Sequence, residues 1–435
     1  MVMKWHNIYK KDIKMESRIC GLLGEKLAHT FSPAIHAELA DYEYRIFERR
    51  EDELDAFFAD ACWDGINITL PYKKTVMKYC NELSDGARAI GSINTIVRRE
   101  DGTLYGDNTD AYGFGLLLDR LDSPVEGKKC LILGSGGASV AIRYVLGLRS
   151  AGEIVTISRT GDDNYHNLEH HYDADIIINA TPVGMYPDTD QAPLDLEPFG
   201  RLSAVIDIIY NPARTNLMMQ AEELGIQTIG GMEMLVGQAA RSSEQFAGIT
   251  VSDSKIQEVA RMMQHKSMNI AIIGMPGAGK TTITHALGAE LGIPSHDCDD
   301  LVLEMTGRTP AEIITEDGEA AFRICETRAL KEYGNYTGIV LGTGGGCVTI
   351  PENYKHLHRN SIIIWVKRNL ELLPTEGRPL SKAGSLEALY AKRRPMYEKF
   401  SDVSIENNGS VEGAIAQIKE ILCIKNSKGS IMNSK

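Results

Sequence analysis

The sequence contains no Cys-x-x-Cys pair. Its eight cysteines stand apart at positions 20, 62, 80, 130, 298, 325, 347 and 423, so neither a thiolate zinc site nor a dithiol redox motif has support. They read as reduced packing thiols of a cytosolic protein. The opening residues, MVMKWHNIYKKDIKMESRIC, lack an apolar run of the length a signal peptide or membrane span requires. The expectation is a soluble, cytoplasmic protein with no membrane partner. Basic residues are in deficit too: 46 Lys and Arg against 59 Asp and Glu leave a net charge of −13. This argues against nucleic acid or an anionic membrane as a partner. Any anion bound here must be met by a few locally placed basic groups working against the field of the whole chain. No internal repeat is visible.

What is present is a globular composition, 43% hydrophobic and 24% charged, in 435 residues, enough for two to four compact units. Short apolar runs alternate with amphipathic stretches throughout. Cys130–Leu133, Ile154–Ile157, Asp175–Asn179, Val205–Ile209, Ile270–Ile273 and Ser361–Val366 are examples. Buried runs of that length, separated by helical stretches, predict parallel sheets and an α/β class. Ser252–Met263 reads as a closing helix and Gln264–Met268 as a short linker, with a new strand opening at Asn269. A second division falls near Asp110. The polar segment from Lys425 reads as a disordered tail.

A strand at Lys128–Leu133 is followed at once by Gly134, Ser135, Gly136, Gly137, Ala138 and Ser139, then by a helical run and a second strand ending at Ser158. That is the context of a dinucleotide fingerprint: glycines let the backbone turn tightly and approach a pyrophosphate at a helix N-terminus. Alone, such a turn reads equally well as a plain structural loop. The second strand ends in Ser158, Arg159 and Thr160 rather than in the acid that would hold a ribose 2′-hydroxyl. A guanidinium between hydroxyls suits a 2′-phosphate, so NADP is expected over NAD. Asp162 and Asp163 read as solvated loop charges.

Seven further segments occur in order. They are Gly21 to His36, Asn67 to Lys73, Gly91 to Thr95, Gly106 to Asp110, Asn179 to Met185, Asp207 to Pro212 and Gly231 to Ala239. Together they resemble the shikimate dehydrogenases over roughly residues 17–265. The resemblance implies that Lys73 is the catalytic lysine and Asp110 its carboxylate partner. It implies that Thr30, Ser32 and Tyr210 hold a substrate carboxylate, that Thr69, Asn94 and Gln238 hold ring hydroxyls, and that Ile208 and Gly231 join the NADP site. Reducing a ring ketone leaves negative charge on oxygen, which a nearby ammonium can stabilise and protonate. Thr30 stands where serine is usual in that family, so quinate is left open as a side substrate.

Gly274-Met-Pro-Gly-Ala-Gly-Lys-Thr281 fits G-x-x-x-x-G-K-[ST] directly after a strand. Its amides would cradle phosphates through Gly277, Ala278, Gly279 and Thr282, Lys280 would reach the β- and γ-phosphates, and Thr281 would bind Mg2+. Downstream, Asp297-Cys-Asp299, Gly307 to Ile314, Gly318 to Glu326, Gly342 to Val348, Gly377 to Leu380 and Lys392 to Tyr397 resemble shikimate kinase over roughly 269–423. That resemblance implies Asp297 near the Mg2+, partly through water, and Asp299 on the hydroxyl to be phosphorylated. It puts Arg323 and Arg393 on the shikimate carboxylate, Gly345 against the ring, and Arg378 in a lid over ATP. The choice of Arg393 over Arg394 rests on spacing to Pro395.

The resemblances imply a substrate-binding α/β unit at 17–110 completed by helices at 235–265, a Rossmann-like NADP unit at 111–234, and a P-loop kinase domain with a parallel sheet at 268–424. The expected function is bifunctional: NADPH-dependent reduction of 3-dehydroshikimate, then MgATP-dependent phosphorylation of shikimate. Two alternatives stand beside it. One is a catabolic quinate or shikimate dehydrogenase with an attached kinase; the other is a non-catalytic shikimate and nucleotide sensor, which would be expected to have lost Lys73, Asp110, Lys280 or Asp299. Oligomeric state is not legible.

Overall fold

A computed structural model describes residues 18–27, 30–60, 62–373 and 386–422 of the chain. Arg378 and the tail from Lys425 lie outside the described residues. The described residues form two compact units. One draws on described residues within 18–116, 140–145 and 234–259; the other draws on those within 117–139, 146–233 and 260–422. The cysteines described are free, and among the described residues no helix is long and apolar enough to cross a membrane.

The first unit is built on β1 (Ile19–Gly24), β2 (Glu43–Glu48), β3 (Gly65–Ile68), β4 (Glu82–Leu83), β5 (Thr95–Arg98) and β6 (Leu104–Asp107), in the order β2-β1-β3-β5-β6-β4. β1 is parallel to β2 and β3, but β5 runs antiparallel to both of its neighbours. For the pair with β6 the reason is local. Between β5 and β6 the chain turns at Asp101-Gly102, where Gly102 has φ +83° and Asp101 Oδ1 accepts the Thr103 amide at 2.9 Å. An Asp-Gly turn of this kind joins antiparallel strands and no others.

The second unit holds two wholly parallel sheets. β7 (Lys129–Leu133), β8 (Glu153–Ile157), β9 (Ile176–Asn179), β10 (Ala204–Asp207) and β11 (Gln227–Gly230) form one, in the order β11-β10-β9-β7-β8. β12 (Asn269–Ile273), β13 (Ser295–Asp297), β14 (Val340–Gly342), β15 (Ser361–Lys367) and β16 (Val403–Glu406) form the other, in the order β13-β14-β12-β15-β16. β9, β10 and β12 are buried along their whole length, which is why they read as continuous apolar runs. The segment Gln264–Met268 is no linker: helix Asp253–Ser267 runs through it and ends one residue before β12.

Ligand sites of such sheets gather at the carboxyl ends of the strands, and one buried group ties two of those ends together. The strand expected to reach Ile209 stops at Asp207, because the Asp207 carboxylate turns back to accept the Ile209 amide at 3.0 Å. It also accepts Asn179 Nδ2 from the end of β9 at 3.1 Å and the Thr215 hydroxyl at 2.7 Å. Burial raises this carboxyl from 3.8 to about 6, only partly offset by those donors. A raised folded-state value means that the group adds stability below pH 3.8 and that the addition is lost as the pH rises through about 6. The loss amounts to roughly 3 kcal/mol at 1.36 kcal/mol per pKa unit. Asp207→Asn has no such titration. Urea unfolding at pH 4.5 and pH 7 should therefore show the variant gaining on the wild type by roughly 2 kcal/mol towards neutral pH, the remainder being lost already below pH 4.5; a constant difference would contradict the assignment.

Candidate active sites

In the first unit, Lys73 lies in the irregular stretch after β3, where its carbonyl accepts the Ile93 amide at 2.9 Å. That bond brings Lys73 beside Asn94. Asp110 opens helix Asp110–Asp119, a position where the helix dipole favours a carboxylate. Lys73 Nζ sits 2.6 Å from Asp110 Oδ2, with both side chains half-buried. The other carboxylate oxygen accepts Asn94 Nδ2 at 2.9 Å, and that same amide lies 3.3 Å from Gln238 Oε1 on helix Met232–Ala247. Asn94 cannot flip, because its Oδ1 accepts the Thr109 amide at 2.7 Å and the Thr109 hydroxyl at 3.1 Å. The neighbouring Lys74 is exposed, so only one of the two lysines joins this cluster. Thr30 and Ser32 form their own hydroxyl pair at 3.1 Å, and Thr69 directly follows β3. Tyr210 belongs to the second unit, where burial raises its phenol above the usual value.

In the second unit the turn after β7 begins at Gly134, with φ +102°. A side chain there would meet the Ala180 carbonyl at 3.1 Å and Thr181 at 2.9 Å. Gly136 and Gly137 face open space, leaving room for a phosphate against the start of helix Gly137–Leu148. Ser139, in place of the usual third small residue, bonds back to the Gly136 carbonyl at 2.6 Å. Ser158 Oγ accepts the Gly161 amide at 2.9 Å, while Arg159 and Thr160 are exposed. Among the described residues no carboxylate pairs with Arg159. Asp163, its side chain 46% exposed, also lies 3.0 Å from His171 Nε2. At Gly231 a Cβ would overlap the Ile208 carbonyl, so only glycine fits beside that residue.

The second phosphate loop follows β12. Gly274, Gly277 and Gly279 all have positive φ, and a side chain at Gly279 would strike Asn407 Nδ2 at 2.6 Å. Lys280 is buried, and its ammonium curls over the loop to donate to the Met275 carbonyl at 3.1 Å. Thr281 Oγ1 donates to Asp297 Oδ2 at 2.7 Å, a hydroxyl and a carboxylate of the hardness that Mg2+ prefers. These groups, with Asp299, Gly345 and Arg368, line a cavity of about 500 Å³. Although Asp299 faces that cavity, enclosure by its walls and then the charges of Asp297 and Glu326 raise its carboxyl. Arg323 is buried between Glu326, at 2.6 Å, and Glu319, at 2.8 Å. Arg393 is buried and donates to the Gly345 carbonyl at 3.2 Å, as does the Tyr397 hydroxyl. Arg394 is exposed on Glu398 at 2.8 Å.

Two family models match the chain: the shikimate dehydrogenase substrate binding domain over residues 22–96, and shikimate kinase over residues 276–423. The shikimate dehydrogenase (NADP(+)) of Clostridium perfringens strain SM101 is 35% identical over 263 residues, which is 56% of this chain and 97% of that protein. The chain belongs to the shikimate dehydrogenase family. The enzyme of the same description from Methanococcus maripaludis is 36% identical over 263 residues, 54% of this chain and 94% of that protein. Among solved structures, a chorismate mutase/shikimate 5-dehydrogenase fusion protein from Clostridium acetobutylicum matches with TM-score 0.55 and 34% identity, over 58% of this chain and 99% of that one. The shikimate 5-dehydrogenase of Thermus thermophilus, solved with NADP(H) and shikimate, matches with TM-score 0.51 and 29% identity, over 56% and 98%. This dehydrogenase therefore carries a shikimate kinase domain behind it on one chain, and the two use NADP and ATP.

Three polar residues of the kinase escape a reading of the sequence. Glu326 follows Arg323 by one helical turn and grips it; Arg368 and Asn407 lie just past the carboxyl ends of β15 and β16 and press on the phosphate loop. Spacing from Arg323 is a signal for the first, and position after a parallel strand is a signal for the others. The Gly344–Gly346 run is dictated by the same groups. A Cβ at Gly344 would overlap Glu326 Oε1, one at Gly345 would meet Pro276 at 2.6 Å, and one at Gly346 would overlap Arg323 Nη2. Gly346→Ala must push the guanidinium aside, so kcat/KM for shikimate phosphorylation should fall on the order of a hundredfold. Dehydrogenase turnover should be unchanged, and steady-state assays of both half-reactions check this.

Proposed function

We propose that the dehydrogenase reduces 3-dehydroshikimate with NADPH and that the kinase phosphorylates the hydroxyl so formed with MgATP. The observation that carries the first half is the 2.6 Å Lys73–Asp110 pair, held by Asn94 beside Gln238. Bound NADPH supplies the hydride. Lys73 meets the negative charge that develops on the carbonyl oxygen and gives up a proton to it, and Asp110 keeps the ammonium aimed. Asn94, Gln238 and Thr69 orient ring hydroxyls, and Thr30, Ser32 and Tyr210 take the carboxylate. The open glycines at Gly136 and Gly137, with Ser135 before them and Ala138 after, receive the pyrophosphate. Ser158, Arg159 and Thr160 receive the 2′-phosphate, and Ile208 and Gly231 bound the same site.

In the kinase, the loop Gly277–Thr282 wraps ATP, Thr281 and Asp297 hold Mg2+, and Lys280 turns from its carbonyl partner to the phosphates. Mg2+ supplies positive charge against the phosphoryl oxygens. Asp299 accepts the substrate hydroxyl; Arg323 and Arg393 hold the carboxylate against Gly345, and Arg378 is assigned to the lid. The substrate-binding part is assigned to 17–110 with 235–265, the NADP part to 111–234 and the kinase to 268–424, and the enzyme to the cytoplasm. The catabolic reading, which leans on NAD, fits less well because no acid stands at Arg159. A sensor without turnover fits less well because Lys73, Asp110, Lys280 and Asp299 are all in place.

Incubating the protein with 3-dehydroshikimate, NADPH and MgATP should yield shikimate 3-phosphate; product that stops at shikimate would remove the kinase half of the proposal. Lys73→Ala should lower dehydrogenase kcat about a hundred- to thousandfold with a smaller change in KM. A near-normal kcat would exclude Lys73 as the proton donor. For Arg159→Ala, the KM for NADPH should rise well above that of the wild type while the KM for NADH stays put. Equal changes would mean that the guanidinium does not read the 2′-phosphate.

A further inference from the structure

Arg359 lies two residues before β15, at the amino end of the kinase sheet and so away from the ATP edge. It is nevertheless 4% exposed. Among the described residues no kinase carboxylate receives it. Its Nη1 donates to the Thr189 hydroxyl and to Asp190 Oδ1, both at 2.8 Å, and its Nη2 to Asn216 Oδ1 at 3.2 Å. These three partners belong to the nucleotide-binding part of the dehydrogenase, in the segments that follow β9 and β10; on the kinase side the Asn335 amide oxygen lies farther off, 3.4 Å from Nη1, and accepts the Thr189 hydroxyl at 2.6 Å. Asp190 also takes Lys331 Nζ at 3.0 Å. Burial alone would push the Asp190 carboxyl up, but Lys331 and Arg359 together hold it below the usual range. The backbones are tied as well: the Arg214 amide donates to the Arg359 carbonyl at 2.9 Å, and the Ala213 amide to Asn360 Oδ1 at 3.0 Å.

We propose that this contact makes the nucleotide-binding sheet and the kinase sheet one cooperative block, with Arg359 as its clasp. A guanidinium stripped of water is tolerated only while its acceptors stay in place. Opening either sheet strands it, so each sheet's unfolding is charged to the other. The tie reaches both functional ends. Tyr210 lies four residues before Arg214. Helix Glu319–Gly334 carries Arg323 near its start and Lys331 near its end. Nothing in this coupling depends on which reactions the two sites perform.

Native-state hydrogen exchange of the full chain against denaturant tests it without ligand or assay. In the wild type, the slowest amides of β9 and β10 should exchange through the same opening as those of β12 and β15, with one shared denaturant slope. In Arg359→Met, which keeps most of the volume and removes the charge, the two sets should part, one exchanging at least about tenfold faster than the other. Should Arg359→Met not fold, Asp190→Asn, which leaves the bonds to Thr189 and Asn216, is read in the same way. Two separate isotherms in the wild type, or one shared isotherm in the folded variant, would overturn the proposal.

Discussion

Shikimate, NADP and ATP all carry negative charge, and so does the enzyme. A net charge of −13 means that positive groups cannot attract pyrophosphate, triphosphate or carboxylate as a broad field; they must do so one at a time from fixed positions. The structure meets that constraint with a repeated device, a cation gripped by a carboxylate in a place of low exposure. Under the proposed roles Lys73, held by Asp110, and Arg323, held by Glu326, are its two instances. In each case the acid costs some electrostatic attraction for the ligand, yet it removes the side-chain freedom that a long basic chain would otherwise lose on binding. The glycines are the complement of this device. Gly344 and Gly346 are bare because Glu326 and Arg323 occupy the volume a side chain would need.

The parts legible in the sequence are those in which one ligand is met by consecutive residues. A phosphate cradled by backbone amides forces glycines and a lysine into a fixed short spacing, so Gly274–Thr281 and Gly134–Gly137 announce themselves. Continuous buried strands do too, which is why the expected bounds of β7, β9, β12 and β15 agree with the structure to within a residue or so. The Lys73–Asp110 pair spans 37 positions, and no local pattern specifies it; only resemblance to a family does. Glu326, Arg368 and Asn407 bind no ligand directly under the proposed roles, so no ligand's shape is there to betray them.

The misreadings share a cause. Gln264–Met268 looks like a linker because it is polar and sits between two motif sets, but a helix needs only one apolar stripe and tolerates polar residues on the rest of its surface. β5 pairs antiparallel with β6 because a short loop, closed by the Gly102 amide on the Arg99 carbonyl, turns the chain straight back. Arg359 is invisible altogether, since an arginine before a strand is an ordinary surface residue until another part of the chain covers it.

The chemistry of that covered face bears on how the protein is made. Thr189 and Asp190 are synthesised 146 and 169 residues ahead of Asn335 and Arg359, their respective partners. At about 5–20 residues per second the ribosome leaves them waiting for roughly ten to thirty seconds. An apolar docking face would spend that interval as a sticky patch beside the exit tunnel. A face of threonine, aspartate and asparagine can wait in water, hydrated and inert, until its partner emerges.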